Sequence, residues 1–349
     1  MPGSHGALAP LWPLYAAVVA LRGKLYDAGW LAVSRLPGAV ISVGNLTVGG
    51  SGKSPMTALI AETLSRRGRR PGIVSRGYGG SYAGPAAIVS EGSGPLLDAA
   101  AVGDEPVMLA RQLPGVPIVV SRRRVDGGRL AMERFGCRSL VLDDGYQHRA
   151  LARDLDLLLL DGPEPFGDGR MLPAGRLREP VAAMARAGAL VITRADRASS
   201  ESLEAIRRAA RAHCPTAPVY HATYALAGLV NHAGREAGSL DRLRGARAVC
   251  FAGIARPERF FQDVASSGAT VADSFPFPDH HPYTAAQLDE IARAAARCSA
   301  DLVLTTEKDL ARLSASATWP DGPPLFGLRA RMAVQEREML DGLIARMIP

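Results

Sequence analysis

Residues 39–55 read AVISVGNLTVGGSGKSP: an apolar run, a glycine-rich turn, then Lys-Ser and a proline. A strand, a turn of small residues and a helix opening on Lys-Ser form the phosphate cradle of many nucleotide-using proteins, because the turn N–H groups and the helix N-terminus all face the anion. The strict spacing asks for a first glycine where this chain has Thr47, and its glycines stand at Gly49, Gly50 and Gly52. A surface turn with an incidental lysine is therefore the competing reading, and composition speaks against it. Of 41 basic residues only three are lysine, Lys24, Lys53 and Lys308. One of them sits in the turn, where a slim ammonium reaches between phosphates and a planar guanidinium does not. The helical pattern KSPMTALIAETLSRRG follows, and Pro55 near its start loses nothing, since first-turn N–H groups have no partner within a helix. The cradle candidates are thus Gly49, Gly50, Ser51, Gly52, Lys53 and Ser54.

At 349 residues the chain has room for two domains of the usual ~100–200 residues each. Cys137, Cys214, Cys250 and Cys298 lie far apart without a C-x-x-C pair, which argues against a zinc or dithiol site and fits a reducing, cytosolic setting. The net charge of +7 favours an anionic partner: nucleic acid, a phosphorylated ligand or an acidic membrane. No aromatic stacking motif interleaves with the arginine runs, so nucleic acid is not expected, and no obligate protein partner is evident.

The segment ALAPLWPLYAAVVALRGKLYDAGWLAVSRL (7–36) is apolar and carries Trp12, Tyr15 and Trp30. Its unbroken run from Leu14 to Leu21 falls far short of the ~20 residues that span a bilayer. A signal peptide is not expected either, because Arg22 and Lys24 follow the apolar run and neither Lys nor Arg precedes it. Two readings remain: a helix packed on the protein's own core, or one lying in a membrane interface with aromatic and basic anchors.

Beyond it, apolar strand candidates alternate with helical patterns, the signature of a parallel α/β sheet buried on both faces. They are AVISVG, PGIVS (71–75), PIVVS (117–121), SLVLDD (139–144), LDLLLLD (155–161) and GALVIT (188–193). Around APVYHATYALAGLVNHAG (217–234) the pattern shifts to short β-like alternation, and a second α/β unit follows. The expected organisation is an N-terminal membrane-associating segment over 1–36, a P-loop kinase domain over 37–216, a β-like linker over 217–234 and a smaller C-terminal α/β domain over 235–349.

Asp143 and Asp144 stand where a buried strand runs out, and adjacent carboxylates there call for a cation or strong hydrogen bonds. Asp104 and Glu105 open a helix, where capping is the plain account. FPDHHPY groups Asp279, His280 and His281 in one loop; no further His or Cys lies at ligand spacing, so a proton-relay element is favoured over a metal site. The irregular GDGRMLPAGRLREP (167–180) supplies Arg170, Arg176, Arg178 and Glu179, and SRRR (121–124) ends on Arg124 at another strand end.

Taken in series, VGNLTVGGSGKSP, VSRGYGG, GDEPVMLA, VLDDGYQHRALARDLDLLLLDG, FGDGRMLPAGRLREP, FPDHHPY and LTTEKD closely resemble the tetraacyldisaccharide 4'-kinase family, in order from about residue 11 to about residue 310. The resemblance implies an enzyme of Gram-negative lipid A biosynthesis at the cytoplasmic face of the inner membrane, peripheral or monotopic. It would use ATP and Mg²⁺ to phosphorylate the 4'-hydroxyl of an acylated glucosamine disaccharide 1-phosphate. It implies Lys53 and Ser54 as phosphate and metal contacts, and Asp143, Asp144 and Glu179 as candidates for the metal cluster. It further implies Asp104 as the catalytic carboxylate with His280 its partner, and Arg124 and Arg178 as phosphate or substrate clamps. Ser54 stands where the family more often has Thr, and Arg176 where it often has Pro; neither change removes a needed group. The alternative is a membrane-peripheral ATPase or GTPase switch, because VITRAD (191–196) resembles a base-reading strand end with Arg194 in place of Lys.

Overall fold

The computed structural model describes residues 9–313 and 319–347. The chain divides into two compact units that are not contiguous in sequence: Met1–Arg76, Ser121–Tyr224 and Met332–Pro349 form the first, and Gly77–Val120 with Ala225–Arg331 form the second. Residues 77–120 lie inside the segment expected as the kinase domain, yet they group with 225–331. Residues 332–349, expected in the C-terminal domain, group with the first unit.

In the first unit the strand Ala39–Asn45 is central and pairs in parallel with Ser139–Asp143 on one side and Leu155–Asp161 on the other. Pro71–Ser75 and Ala189–Thr193 extend the sheet in parallel, and residues 219–222 pair beyond the latter. Ile41, Val43, Leu140, Leu142, Leu158 and Leu160 are all buried, as continuous apolar runs require when helices cover both faces. The helix Lys53–Arg66 buries Met56, Leu59, Ile60 and Leu64. The helix Arg337–Met347, from a stretch without any sequence motif, buries Leu340, Leu343 and Ile344. Its Arg337 donates to Thr63 Oγ1 on the helix Lys53–Arg66 at 2.6 Å and to Asp341 at 2.9 Å.

In the second unit Arg247–Ala252 lies between Thr270–Pro276 and Leu302–Thr306, and the latter pairs with residues 325–328, all in parallel. Ala248, Cys250 and Ala252 enter one apolar cluster while Val249 and Phe251 enter another, which is the period-two signature of a sheet covered on both sides. The helix Ala285–Arg297 begins with a capping box in which Thr284 and Gln287 satisfy each other's backbone N–H. The expected strand at 117–121 is Ile118–Val120, and it pairs antiparallel with Ala87–Ser90.

The helix Trp12–Asp27 has apolar residues on both sides. Tyr15, Ala16 and Val19 pack against the cluster that contains Leu46, Tyr146, Leu177 and Met184. Leu14, Val18 and Leu21 are exposed, as are Trp12 and Trp30. Its polar fastenings are Tyr15 to the Arg178 carbonyl at 3.0 Å and Arg22 to the Gln147 carbonyl at 3.2 Å. Arg149 adds bonds to the Gly23 carbonyl at 3.1 Å and to Asp27 at 2.6 Å. Of the segment expected at 1–36, residues 1–8 lie outside the described residues. No helix among the described residues is long and apolar enough to cross a membrane.

Candidate active site

The cradle turn leaves the central strand at Asn45 and enters the helix at Lys53. Gly52 is the N-cap in a left-handed conformation, φ 86°, and a Cβ there would lie 2.0 Å from the Tyr224 hydroxyl. Only glycine fits. Gly49 is also left-handed, and a Cβ on Gly50 would meet open space. No side chain caps the helix, and the buried Ser51 hydroxyl finds no hydrogen-bond partner among the described residues. Uncapped helix N–H groups, a partnerless hydroxyl and an ammonium together fit a polyphosphate. Lys53 donates to Asn45 Oδ1 at 3.3 Å and lies 3.8 Å from Asp144.

Asp143 and Asp144 have different surroundings. Asp143 is fully buried and accepts from the Thr57 hydroxyl at 3.0 Å and the Ser75 hydroxyl at 3.2 Å. Asp144 follows it with φ 52°, which turns its side chain out of the strand. Arg178 grips it with both arms, at 2.8 and 2.9 Å, and also donates to Asn45 Oδ1. Burial raises the Asp144 carboxyl, but the charges of Lys53, Arg178 and Arg124 outweigh it and hold the group well below the usual carboxylate range. Arg178 therefore clamps Asp144. Glu179 is taken by Arg186 at 2.7 Å and Gln147 at 3.1 Å.

Arg124 is 3% exposed, donates to the Ser121 carbonyl at 3.2 Å, and leaves its Nε without a partner among the described residues. Burial lowers its pKa to about 10 against the pull of Asp144 and Asp143. Nearby His148 is pushed down to about 4 by burial and by Arg124, Arg153, Arg22 and Arg76, so it is neutral near pH 7. Arg194, in the stretch likened to a base-reading strand end, donates to Asp161 at 2.7 Å and to the Gly50 carbonyl at 3.3 Å, bracing the cradle.

Among the described residues no three His, Cys, Asp or Glu side chains gather into a metal cluster. Ser54 in the first turn of the cradle helix and Asp144 beside Lys53 offer hard oxygen donors, which fit Mg²⁺ because it keeps waters and takes one or two carboxylates plus phosphate oxygens.

Within the second unit, His280 Nδ1 lies 2.9 Å from Asp104 Oδ2, although 176 residues separate the two in sequence. Asp104 is buried at 4% exposure, and Lys308 and Arg312 approach the same oxygen at 3.9 and 2.6 Å. Burial raises the Asp104 carboxyl, but the His280 hydrogen bond and the charges of Lys308 and Arg312 more than reverse that and keep it ionised. Glu105 lies 3.5 Å from Lys308, and His281 turns away to Gln287 at 3.0 Å. Sequence reading passed over Asn45, Gln147, His148, Lys308 and Arg312. The lysine scarcity that marked Lys53 marks Lys308 equally, whereas nothing distinguishes Arg312 in a chain so rich in arginine.

Fold and donor set define the class: an α/β phosphate-cradle protein of the phosphotransferase kind. The chain belongs to the tetraacyldisaccharide-1-P 4'-kinase family, whose model matches residues 4–348. It is 47% identical over 346 residues to a tetraacyldisaccharide 4'-kinase of Anaeromyxobacter dehalogenans strain 2CP-C, covering 98% of this chain and 90% of that one. It is 43% identical over 306 residues to that of Geobacter metallireducens, covering 88% of each. Among solved structures it is similar to LpxK from Aquifex aeolicus in complex with ATP, with a TM-score of 0.79, 33% identity and 99% of both chains covered.

Proposed function

We propose that the chain moves the γ-phosphate of ATP onto the 4'-hydroxyl of an acylated glucosamine disaccharide 1-phosphate, the lipid A precursor. The observation that carries this is Lys53 at the uncapped start of the cradle helix, with Asp144 clamped beside it by Arg178. The new bond joins the sugar oxygen to phosphorus, the β–γ bridge breaks to release ADP, and the hydroxyl proton must go to a base. Lys53 and the helix N–H groups meet charge on the transferring phosphate, and Arg178 holds Asp144 in register with them. Ser54 and Asp144 would hold Mg²⁺, with Asp143 and Glu179 behind them; when bound, the ion neutralises phosphate charge. Arg124, whose buried Nε has no hydrogen-bond partner among the described residues, is assigned to the substrate anion. Asp104 and His280 receive the hydroxyl proton as one unit, the carboxylate fixing the imidazole at Nδ1.

The exposed side of the helix Trp12–Asp27 is assigned to the membrane interface at the cytoplasmic face, where an acylated acceptor is met. The test is incubation with Mg-ATP and a tetraacylated disaccharide 1-phosphate in mixed micelles, read by mass spectrometry. A product carrying one added phosphate at the 4' position is expected. ATP hydrolysis that neither needs nor phosphorylates the lipid would overturn the assignment.

A further inference from the structure

We propose that Arg312 is a positioning residue of this reaction: it anchors Asp104 and sets the pH at which the Asp104–His280 pair stops accepting a proton. The proposal rests on the role given to that pair above. Arg312 closes the short helix Glu307–Arg312, which follows the strand Leu302–Thr306. At one end its guanidinium is tied to Asp309, which is fully buried. Asp309 in turn accepts from the Gly253 N–H at 3.0 Å, the Tyr283 hydroxyl at 2.8 Å and the Thr306 hydroxyl at 2.6 Å. Gly253 is required there, because a Cβ would lie 2.8 Å from the Tyr283 hydroxyl and 3.1 Å from Arg312 itself. At its other end Arg312 donates through Nε to Asp104 Oδ2 at 2.6 Å. The side chain is 6% exposed. A fixed carboxylate thus holds the cation, and the cation holds Asp104.

The arrangement exceeds what the plain pairing of one buried arginine needs. One bond to Asp309 would neutralise the guanidinium; the second edge is turned to the carboxylate that orients His280. The remaining nitrogen, Nη2, is buried and makes no hydrogen bond among the described residues, with Asp279 3.8 Å away. The charged and titratable groups around the pair are Asp104 and Glu105 from the helix Asp104–Gln112, Asp279 and Tyr283 from the loop around His280, and Lys308, Asp309 and Arg312 from the helix Glu307–Arg312. The Tyr78 ring lies 5.9 Å from the His280 ring. Of the two fixed cations, Arg312 is the one in hydrogen-bond contact with Asp104; Lys308 stands off at 3.9 Å and is shared with Glu105 and Asp279.

The sign follows directly. A cation 2.6 Å from Asp104 opposes uptake of a proton by the pair, whichever atom binds it. Removing the charge makes protonation easier, so the acid limb of kcat/KM moves to higher pH. The limb reports the free enzyme's base.

The experiment is the pH profile of kcat/KM for the lipid acceptor at saturating Mg-ATP, for wild type, R312Q and R312K, with a thermal melt of each. R312Q should move the acid limb up by about one pH unit, a tenfold change in the proton-binding constant, with KM for ATP unchanged. R312K keeps the charge but cannot bridge Asp104 to both Asp309 and the Gly253 carbonyl; it should lower kcat about tenfold or more with the limb unmoved. An R312Q profile lowered by one factor at every pH, or displaced to lower pH, overturns the proposal. If R312Q lacks a cooperative melt, R312K decides: wild-type kcat in a folded R312K enzyme overturns the proposal equally.

Discussion

At the residue scale the two charged centres answer different questions. Lys53 donates to Asn45 Oδ1 and lies 3.8 Å from Asp144, so Lys53→Ala should lower kcat by at least about 10²–10³-fold, the usual cost of one lost transition-state contact. Its melting curve should match wild type. Near-normal turnover would remove the cradle assignment. Asp104→Ala and His280→Ala should each lower kcat strongly with little change in KM for ATP, and the double mutant should be hardly worse than the worse single, because groups acting as a unit are not additive. Multiplicative losses would show that they act independently. His148 makes a prediction about stability. Its folded pKa of about 4 lies below the unfolded 6.5, so the unfolded chain binds a proton first as pH falls and stability drops between those two values. His148→Asn should flatten the stability curve in that window, measured by chemical denaturation at each pH. Residue type and neighbours singled out Lys53, Asp143, Asp144 and His280 as candidates, whereas Asp104 read locally as a helix cap and was marked only by the family resemblance. Arg312 went unread, since its meaning lies wholly in what surrounds it after folding.

Elements were legible where periodicity was strong. The buried strands announced themselves as unbroken apolar runs, because each must bury both faces. The helix Trp12–Asp27 left two readings open: Tyr15, Ala16 and Val19 meet the core, as the first requires, while Leu14, Val18 and Leu21 face outward, as the second would need. A helix apolar on opposite sides gives no amphipathic signal from which to choose. The outward side carries a prediction. Replacing Leu14 and Leu21 together by Gln should weaken association with anionic vesicles about a hundredfold or more, at about 1.5 kcal/mol or more for each fully buried leucine, and leave KM for ATP alone. Co-sedimentation measures it, and unchanged vesicle binding would return the helix to a purely structural role.

For the whole molecule, the limit of sequence reading was contiguity. A change of pattern near 217–234 suggested one boundary, whereas the units exchange chain at Arg76/Gly77, Val120/Ser121, Tyr224/Ala225 and Arg331/Met332. Such grouping comes from long-range strand pairing and burial, which leave no local mark in the sequence. A fragment ending at residue 216 should therefore fail as an independent domain, because it lacks the helix that buries Leu340, Leu343 and Ile344. Calorimetry should show no single cooperative transition for it; a sharp melt like that of the full chain would refute the division. The same interleaving fixes an order of events during synthesis. Residues 332–347 leave the ribosome only after every residue of the second unit has been made, so the unit that carries the glycine-rich cradle, although it begins first, must stay unfinished longest. Its half-built apolar surface needs shelter in the meantime, and a slow stretch of translation placed late in the message would lengthen that exposure.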